Sequence, residues 1–112
     1  MNRCHIIGYL EAESQEFLKS IQSLKCSVSN VCKVMGLKVV GENYHIFEGP
    51  EGITYCFILS QSHFIIHTWP EEGILFFDIF TCNEEINKSR LVNALSKEFN
   101  GKVKRVDKVT YS

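Results

Sequence analysis

The sequence predicts an α+β fold, a two-layer sandwich in which a mainly antiparallel sheet of about six strands carries two helices on one face. Two observations lead there. Two stretches, Phe17 to Val31 and Leu91 to Phe99, repeat apolar residues at three- and four-residue intervals, the period of a helix with one buried stripe. The remainder is made of short runs rich in β-branched and aromatic residues, separated by compact turn signals. With 112 residues and no linker-like, repetitive or low-complexity tract, the chain reads as one domain, residues 1–112.

In chain order, residues 3–10 form the first predicted strand. Ser14 is a candidate N-cap for the first helix, with Glu16 in its first turn, where a negative charge suits the helix dipole. Phe17, Ile21, Leu24, Val28 and Val31 make its apolar stripe, and Gly36 is placed to end it. Residues 37–47 read as a strand, and Glu48-Gly49-Pro50-Glu51-Gly52 as a turn. Strands are expected over 53–60, 63–69 and 74–82, with Pro70-Glu71-Glu72-Gly73 turning the chain between the last two. A second helix is expected over 87–99, with Leu91, Val92, Leu95 and Phe99 inward and Asn100-Gly101 as its stop. Residues 102–111 close the sheet.

Ile74-Leu75-Phe76-Phe77-Asp78-Ile79-Phe80 and Ile53-Thr54-Tyr55-Cys56-Phe57-Ile58-Leu59 are apolar on both alternating faces. A sheet wet on one side should alternate cleanly instead. Two helices cover one face of such a sheet, so the other needs a cover. A second copy packed sheet on sheet, an αββα homodimer, is the simplest one.

Composition excludes several classes. The net charge is −1 with the basic residues dispersed, and the densest basic group, Lys102, Lys104, Arg105 and Lys108, fits the solvated face of a terminal strand better than a nucleic-acid surface. No apolar run approaches the ~18–20 residues of a membrane span, and no signal-peptide pattern opens the chain, so the default expectation is a cytoplasmic protein. The five cysteines, Cys4, Cys26, Cys32, Cys56 and Cys82, form no CxxC pair and read as small buried side chains. His63 and His67 share a strand face, but no third metal ligand lies near them in sequence.

Residues 61–82 carry the chemistry. They read Gln-Ser-His-Phe-Ile-Ile-His-Thr-Trp-Pro-Glu-Glu-Gly-Ile-Leu-Phe-Phe-Asp-Ile-Phe-Thr-Cys. The stretch closely resembles the cleavage-site motif of the small bacterial and archaeal S-adenosylmethionine decarboxylases, Glu-Ser-His-x-x-Ile-His-Thr-Trp-Pro-Glu followed by Asp-x-Phe-Thr-Cys-Gly. Ser62, His63, Ile66 to Glu71, Gly73, Asp78 and Phe80 to Cys82 all match it. His45-x-Phe47 and Gly52-Ile53-Thr54 resemble two further segments of the family.

The resemblance implies a proenzyme that cuts itself between Gln61 and Ser62 into a β chain, 1–61, and an α chain, 62–112. Ser62 becomes a pyruvoyl group, which forms a Schiff base with the substrate amine and accepts electrons as carbon dioxide leaves, with no metal. By the same resemblance His67 assists cleavage, Thr54 stands where the family has a serine that helps it, and Cys82 protonates the product carbon. The decarboxylated product would be the aminopropyl donor for spermidine and other polyamines. Read singly, Ser62, His67 and Cys82 are ordinary structural residues, and Trp69 is packing; the motif sets the first three apart. Ser62 and His67 stand five residues apart, so one continuous strand would point them to opposite faces, and a break near Ser62 or closure by another element is required.

The chain departs from the pattern at Gln61 for glutamate, at Tyr9 where relatives often carry an acid, at Asn83 for glycine, and in the turn Gly49-Pro50-Glu51. Gln61, Tyr9, Phe47 and Phe64 are the candidate substrate contacts, the aromatic rings suiting a sulfonium and an adenine. Arginine or ornithine decarboxylation is the alternative activity, and an uncleaved, non-catalytic regulatory homologue the alternative class.

Overall fold

The computed structural model describes residues 3–82 and 86–111, so Asn83 lies outside the described residues. The strands are β1 (Arg3–Ala12), β2 (Val39–Ile46), β3 (Ile53–Leu59), β4 (Ser62–Trp69), β5 (Ile74–Cys82) and β6 (Gly101–Tyr111), and the helices are α1 (Ile21–Met35) and α2 (Lys88–Glu98). The strands form one antiparallel sheet in the order β2-β3-β4-β5-β1-β6. Both helices lie on one face, as the sequence predicts.

Alternation builds the core on that face. Cys4, Ile6 and Leu10 of β1, Tyr55 and Phe57 of β3, Phe64 and Ile66 of β4, and Leu75, Phe77 and Ile79 of β5 are fully or almost fully buried there. Leu24, Val28 and Val31 of α1 and Leu91, Leu95 and Phe99 of the α2 end complete it. Val92, expected inward, is half-buried, and Ala94 takes the inward place. The Tyr55 hydroxyl reaches the edge of this layer and donates to Glu42 at 3.0 Å, beside the Lys25–Glu42 ion pair joining α1 to β2.

The first helix starts later than Ser14. Ser14 caps only a 3-10 turn, Phe17–Lys19, by accepting from the Phe17 N–H, and α1 begins after Ser20, whose hydroxyl accepts from the Ser23 N–H at 3.1 Å. The break has a tertiary cause. Leu18 is fully buried and its carbonyl accepts the Thr68 hydroxyl at 2.8 Å, while Thr68 Oγ1 accepts from the Ile53 N–H, so the turn is tied to β3 and β4 rather than continued. Gly36, at φ 72°, ends α1 as expected.

The opposite face of the sheet stays open and apolar. Ile7, Ile58, Trp69, Phe76 and Val109 are 39–53% exposed there. Tyr9, Phe76, Trp69 and His67 form a row of touching rings across β1, β5 and β4, with successive centroids 5.3, 5.2 and 6.1 Å apart. Of the cysteines, Cys26 departs from the expected burial and is exposed, and Cys56 and Cys82 are half-buried. No helix among the described residues is long and apolar enough to cross a membrane.

Burial pushes the Cys32 thiol from an ordinary 9.0 up to about 11. A raised folded-state value means that the stabilising contribution is present below the unfolded pKa and lost as pH rises through the folded one. Thermal stability is therefore expected to fall between pH 9 and 11, and Cys32→Ala should flatten that fall. The part removed is on the order of 2–3 kcal/mol, two pKa units converted by linkage. Melting curves of both proteins across this range measure it, and identical pH slopes would contradict the assignment.

Candidate active site

The β3–β4 hairpin turns on two residues, Ser60 and Gln61, with Leu59 and Ser62 facing each other across the strands. Gln61 sits at φ +63°, in the left-handed region. Two-residue hairpins favour such backbone angles and normally fill them with Gly or Asn. A glutamine there carries strain of ~1–2 kcal/mol. The strained residue supplies the carbonyl that the Ser62 hydroxyl would attack. Ser62 Oγ donates to the Ser60 carbonyl at 3.2 Å, and the Ser60 N–H is held by the Lys38 carbonyl at 3.1 Å, which ties the loop to the chain entering β2. The hairpin precedes Ser62, and β4 runs from Ser62 to Trp69 without interruption, so no break in the strand brings Ser62 and His67 together and closure falls to another element.

Around the loop lies a cleft of about 320 Å³, lined by Lys38, Ser60, Gln61, Ser62, Thr81 and Cys82. Register explains the grouping. Ser62 precedes His63, which faces Phe80, so the β4 start lies beside the β5 end that carries Cys82. Alternation turns Cys82 toward the open face and Ser62 toward the helix layer, at the rim of the sheet.

Thr54 and His67 are direct cross-strand partners of β3 and β4, and Thr54 Oγ1 lies 2.9 Å from His67 Nδ1. With the hydroxyl donating to Nδ1, Nε2 carries the ring proton; the other tautomer reverses the roles. His67 borders two cavities. One, of about 450 Å³, is lined by Ile7, Tyr9, Phe76, Asp78 and Arg105 among others. The second, of about 400 Å³, contains Thr54, Phe47 and Trp69 together with the carboxylate residues Glu48 and Glu71.

The sequence-predicted residues thus fall into two groups. Gln61, Ser62 and Cys82 meet at one end of the strands, and Thr54, His67 and Phe47 gather toward the other. Five residues of strand separate Ser62 from His67, roughly 17 Å at ~3.3 Å per residue. Tyr9 stands on the open face against Phe76, beside the His67 cavity. Phe64, the fourth candidate, is fully buried under the helices, on the face away from His67 and its cavities. It is an even-numbered position of a strand whose odd positions face the open side.

Glu48 and Glu71 escaped the sequence reading because their turns are brought to Thr54 and His67 only by the fold. So did a cluster on the open face, where His5 Nε2 and His63 Nε2 lie 2.7 and 3.0 Å from the same Asp78 Oδ1. Partial burial pushes the Asp78 carboxyl up, but hydrogen bonds from His63 and His5 outweigh it and hold it below the usual carboxylate range.

Residues 4–110 match the family model of S-adenosylmethionine decarboxylase. The chain belongs to the S-adenosylmethionine decarboxylase family. Its relatives include the S-adenosylmethionine decarboxylase proenzyme of Thermodesulfovibrio yellowstonii, 32% identical over 99 residues, covering 88% of this chain and 73% of that one. The proenzyme of Thermotoga maritima is 30% identical over 107 residues, covering 96% and 80%. Among solved structures, the adenosylmethionine decarboxylase of Aquifex aeolicus superposes with a TM-score of 0.77 at 26% identity, over 97% of this chain and 88% of that one. The family is one of decarboxylases, carboxy-lyases, made as proenzymes, and it accounts for the motif around Ser62.

The strain at Gln61 is testable in this family member without cleavage. In a Ser62→Ala background, Gln61→Gly should raise stability by about 1 kcal/mol, because glycine adopts this φ freely, and Gln61→Val should lower it. Urea midpoints of the three proteins decide it; a destabilising Gln61→Gly would remove the strain from the account.

Proposed function

We propose that the chain is a pyruvoyl-dependent S-adenosylmethionine decarboxylase that cuts itself between Gln61 and Ser62, giving fragments 1–61 and 62–112, and works as a cytoplasmic homodimer. The carrying observation is the hairpin: a nucleophilic hydroxyl directly follows a strained peptide, at a cleft shared with the Cys82 thiol.

Ser62 Oγ attacks the Gln61 carbonyl and the acyl group moves from nitrogen to oxygen, so that an ester replaces the peptide bond. Loss of the Ser62 α-proton with departure of the Gln61 carboxylate breaks that ester and leaves a dehydroalanine at position 62. Water then enters and ammonia leaves, and residue 62 becomes a pyruvoyl group. That group supplies an electron sink for the loss of carbon dioxide. Ser62, at a strand end beside an open cleft, fits its formation, since the new chain end is released from the hairpin and is free to turn.

His67 takes the Ser62 α-proton, and Thr54 holds its ring through Nδ1. Cys82 returns a proton to the substrate carbon after decarboxylation. A single chain keeps these groups ~17 Å apart, beyond any direct proton transfer. A two-fold axis through the middle of the open sheet face would shorten that distance, with Ser62 reached around the rim of the sheet where β4 begins. It sets the Ser62–Cys82 end of one copy against the Thr54–His67 end of the other, and covers the exposed rings of Trp69 and Phe76. Each site is then built from two chains. Phe47 and Trp69 offer aromatic faces to a sulfonium or adenine, and Glu48 and Glu71 offer carboxylates to a cation or to hydroxyls.

Those two carboxylates also suit the distal charge of arginine or ornithine, which keeps basic amino acids as the second substrate reading. Carbon dioxide release from S-adenosylmethionine, arginine and ornithine separates the two readings, with release from S-adenosylmethionine expected. Cys82→Ala should leave cleavage intact and lower kcat by ~10²-fold or more, the usual loss for a missing general acid. Full activity in that variant would remove Cys82 from the chemistry.

The two-chain site has a sharper test. Ser62→Ala and His67→Ala proteins should each stay uncut when made alone. Co-expressed, they form mixed dimers in which Ser62 of one chain meets His67 of the other, and the His67→Ala chain should be cut. If co-expression leaves every chain whole while wild type is cut, the shared site is wrong.

A further inference from the structure

We propose that His5, His63 and Asp78 form a binding site for one divalent transition-metal ion of the zinc type, separate from the residues that cleave the chain and decarboxylate substrate. Three adjacent strands build it. β5 lies between β1 and β4, and its Phe80 is the register partner of both His5 and His63, so the two histidines flank β5 on the open face. Asp78 lies two residues along β5 on the same face. The two Nε2 atoms converge on one oxygen, Asp78 Oδ1, at 2.7 and 3.0 Å, and the three donor atoms all lie within 4.8 Å of one another.

Tetrahedral zinc with ligands at ~2.0–2.2 Å separates neighbouring ligand atoms by roughly 3.3 Å. The two nitrogen–oxygen separations, 2.7 and 3.0 Å, therefore need to open by roughly half an ångström or less, within the reach of side-chain rotation on fixed strands. An ion would take the place of the Nε2 protons that now bridge to Oδ1. Two imidazoles and one carboxylate select zinc-like ions over calcium or magnesium, which prefer oxygen ligands. Behind the cluster the Phe80 ring lies 5.9 and 6.0 Å from the two imidazoles and walls that side. In the single chain the three side chains are 32–38% exposed, which leaves a fourth position for water or, in the proposed dimer, for a group of the second copy. His63 directly follows Ser62, so an ion here would pin the strand that begins at the cleavage bond, without touching it.

The test uses full-length, metal-stripped Ser62→Ala, Cys26→Ser protein, in which neither cleavage nor the exposed thiol intervenes. Zinc is titrated against a chromophoric chelator, and cobalt is added separately to read coordination from its visible spectrum. One ion per chain at micromolar affinity or tighter is expected, with a tetrahedral cobalt band. His5→Gln, His63→Gln and Asp78→Asn should each weaken binding at least tenfold, and His45→Gln should not. Binding weaker than 100 µM, or affinity unchanged in all three ligand variants, overturns the proposal and leaves a hydrogen-bonded triad. Should a variant misfold, an octahedral or absent cobalt spectrum in the parent protein is equally decisive against it.

Discussion

The two-residue period of β4 governs the rest of this molecule. Ser62 and His67 lie on one strand, and a strand turns residues five apart to opposite faces and holds them ~17 Å apart. No side-chain rotation closes that distance. If Ser62 is the nucleophile and His67 the base, as proposed, one chain does not complete the site by itself. The same alternation that buries Phe64 and Ile66 sends His63, His67 and Trp69 to the uncovered side. Core and site are two faces of one pattern.

That uncovered side links stability to chemistry. The helices satisfy one face of the sheet with a closely packed aromatic and aliphatic layer, and the Leu18–Thr68–Ile53 hydrogen bonds hold the helix layer against β3 and β4 next to His67. The other face keeps large rings in water, a cost that a partner would remove. A second copy is the economical cover, because self-complementary two-fold packing also brings opposite strand ends together. In the proposed dimer, burial and catalysis ask for the same assembly. The strained Gln61 peptide fits this scheme as a local bias: the hairpin holds the bond proposed to break above its relaxed energy, and cleavage there would release it.

Much of this was legible in the residues. Element order, the two helix stripes, the apolar second face and the motif around Ser62 all follow from spacing and residue type, and even the opposed facing of Ser62 and His67 follows from counting. What escaped depends on long-range register. Ser14 looks as good a helix cap as Ser20, and only the pull of the Thr68 hydroxyl on the Leu18 carbonyl separates them. Phe64 looks like any aromatic beside a serine until its parity is set by its neighbours. His5 is 73 residues from Asp78, and no local pattern joins them before β1 and β4 are known to flank β5. Glu48 and Glu71 sit in turns, whose placement against His67 is a product of the folded hairpins.

The proposed chemistry rests on a new chain end at residue 62. Mass analysis of freshly purified wild-type protein, after treatment with a carbonyl-trapping hydrazine, reads that end directly. The account predicts two polypeptides, 1–61 with an ordinary carboxyl terminus and 62–112 carrying the hydrazone of a ketone in place of the serine. One uncut chain of 112 residues with no hydrazine adduct, in folded protein, would contradict it.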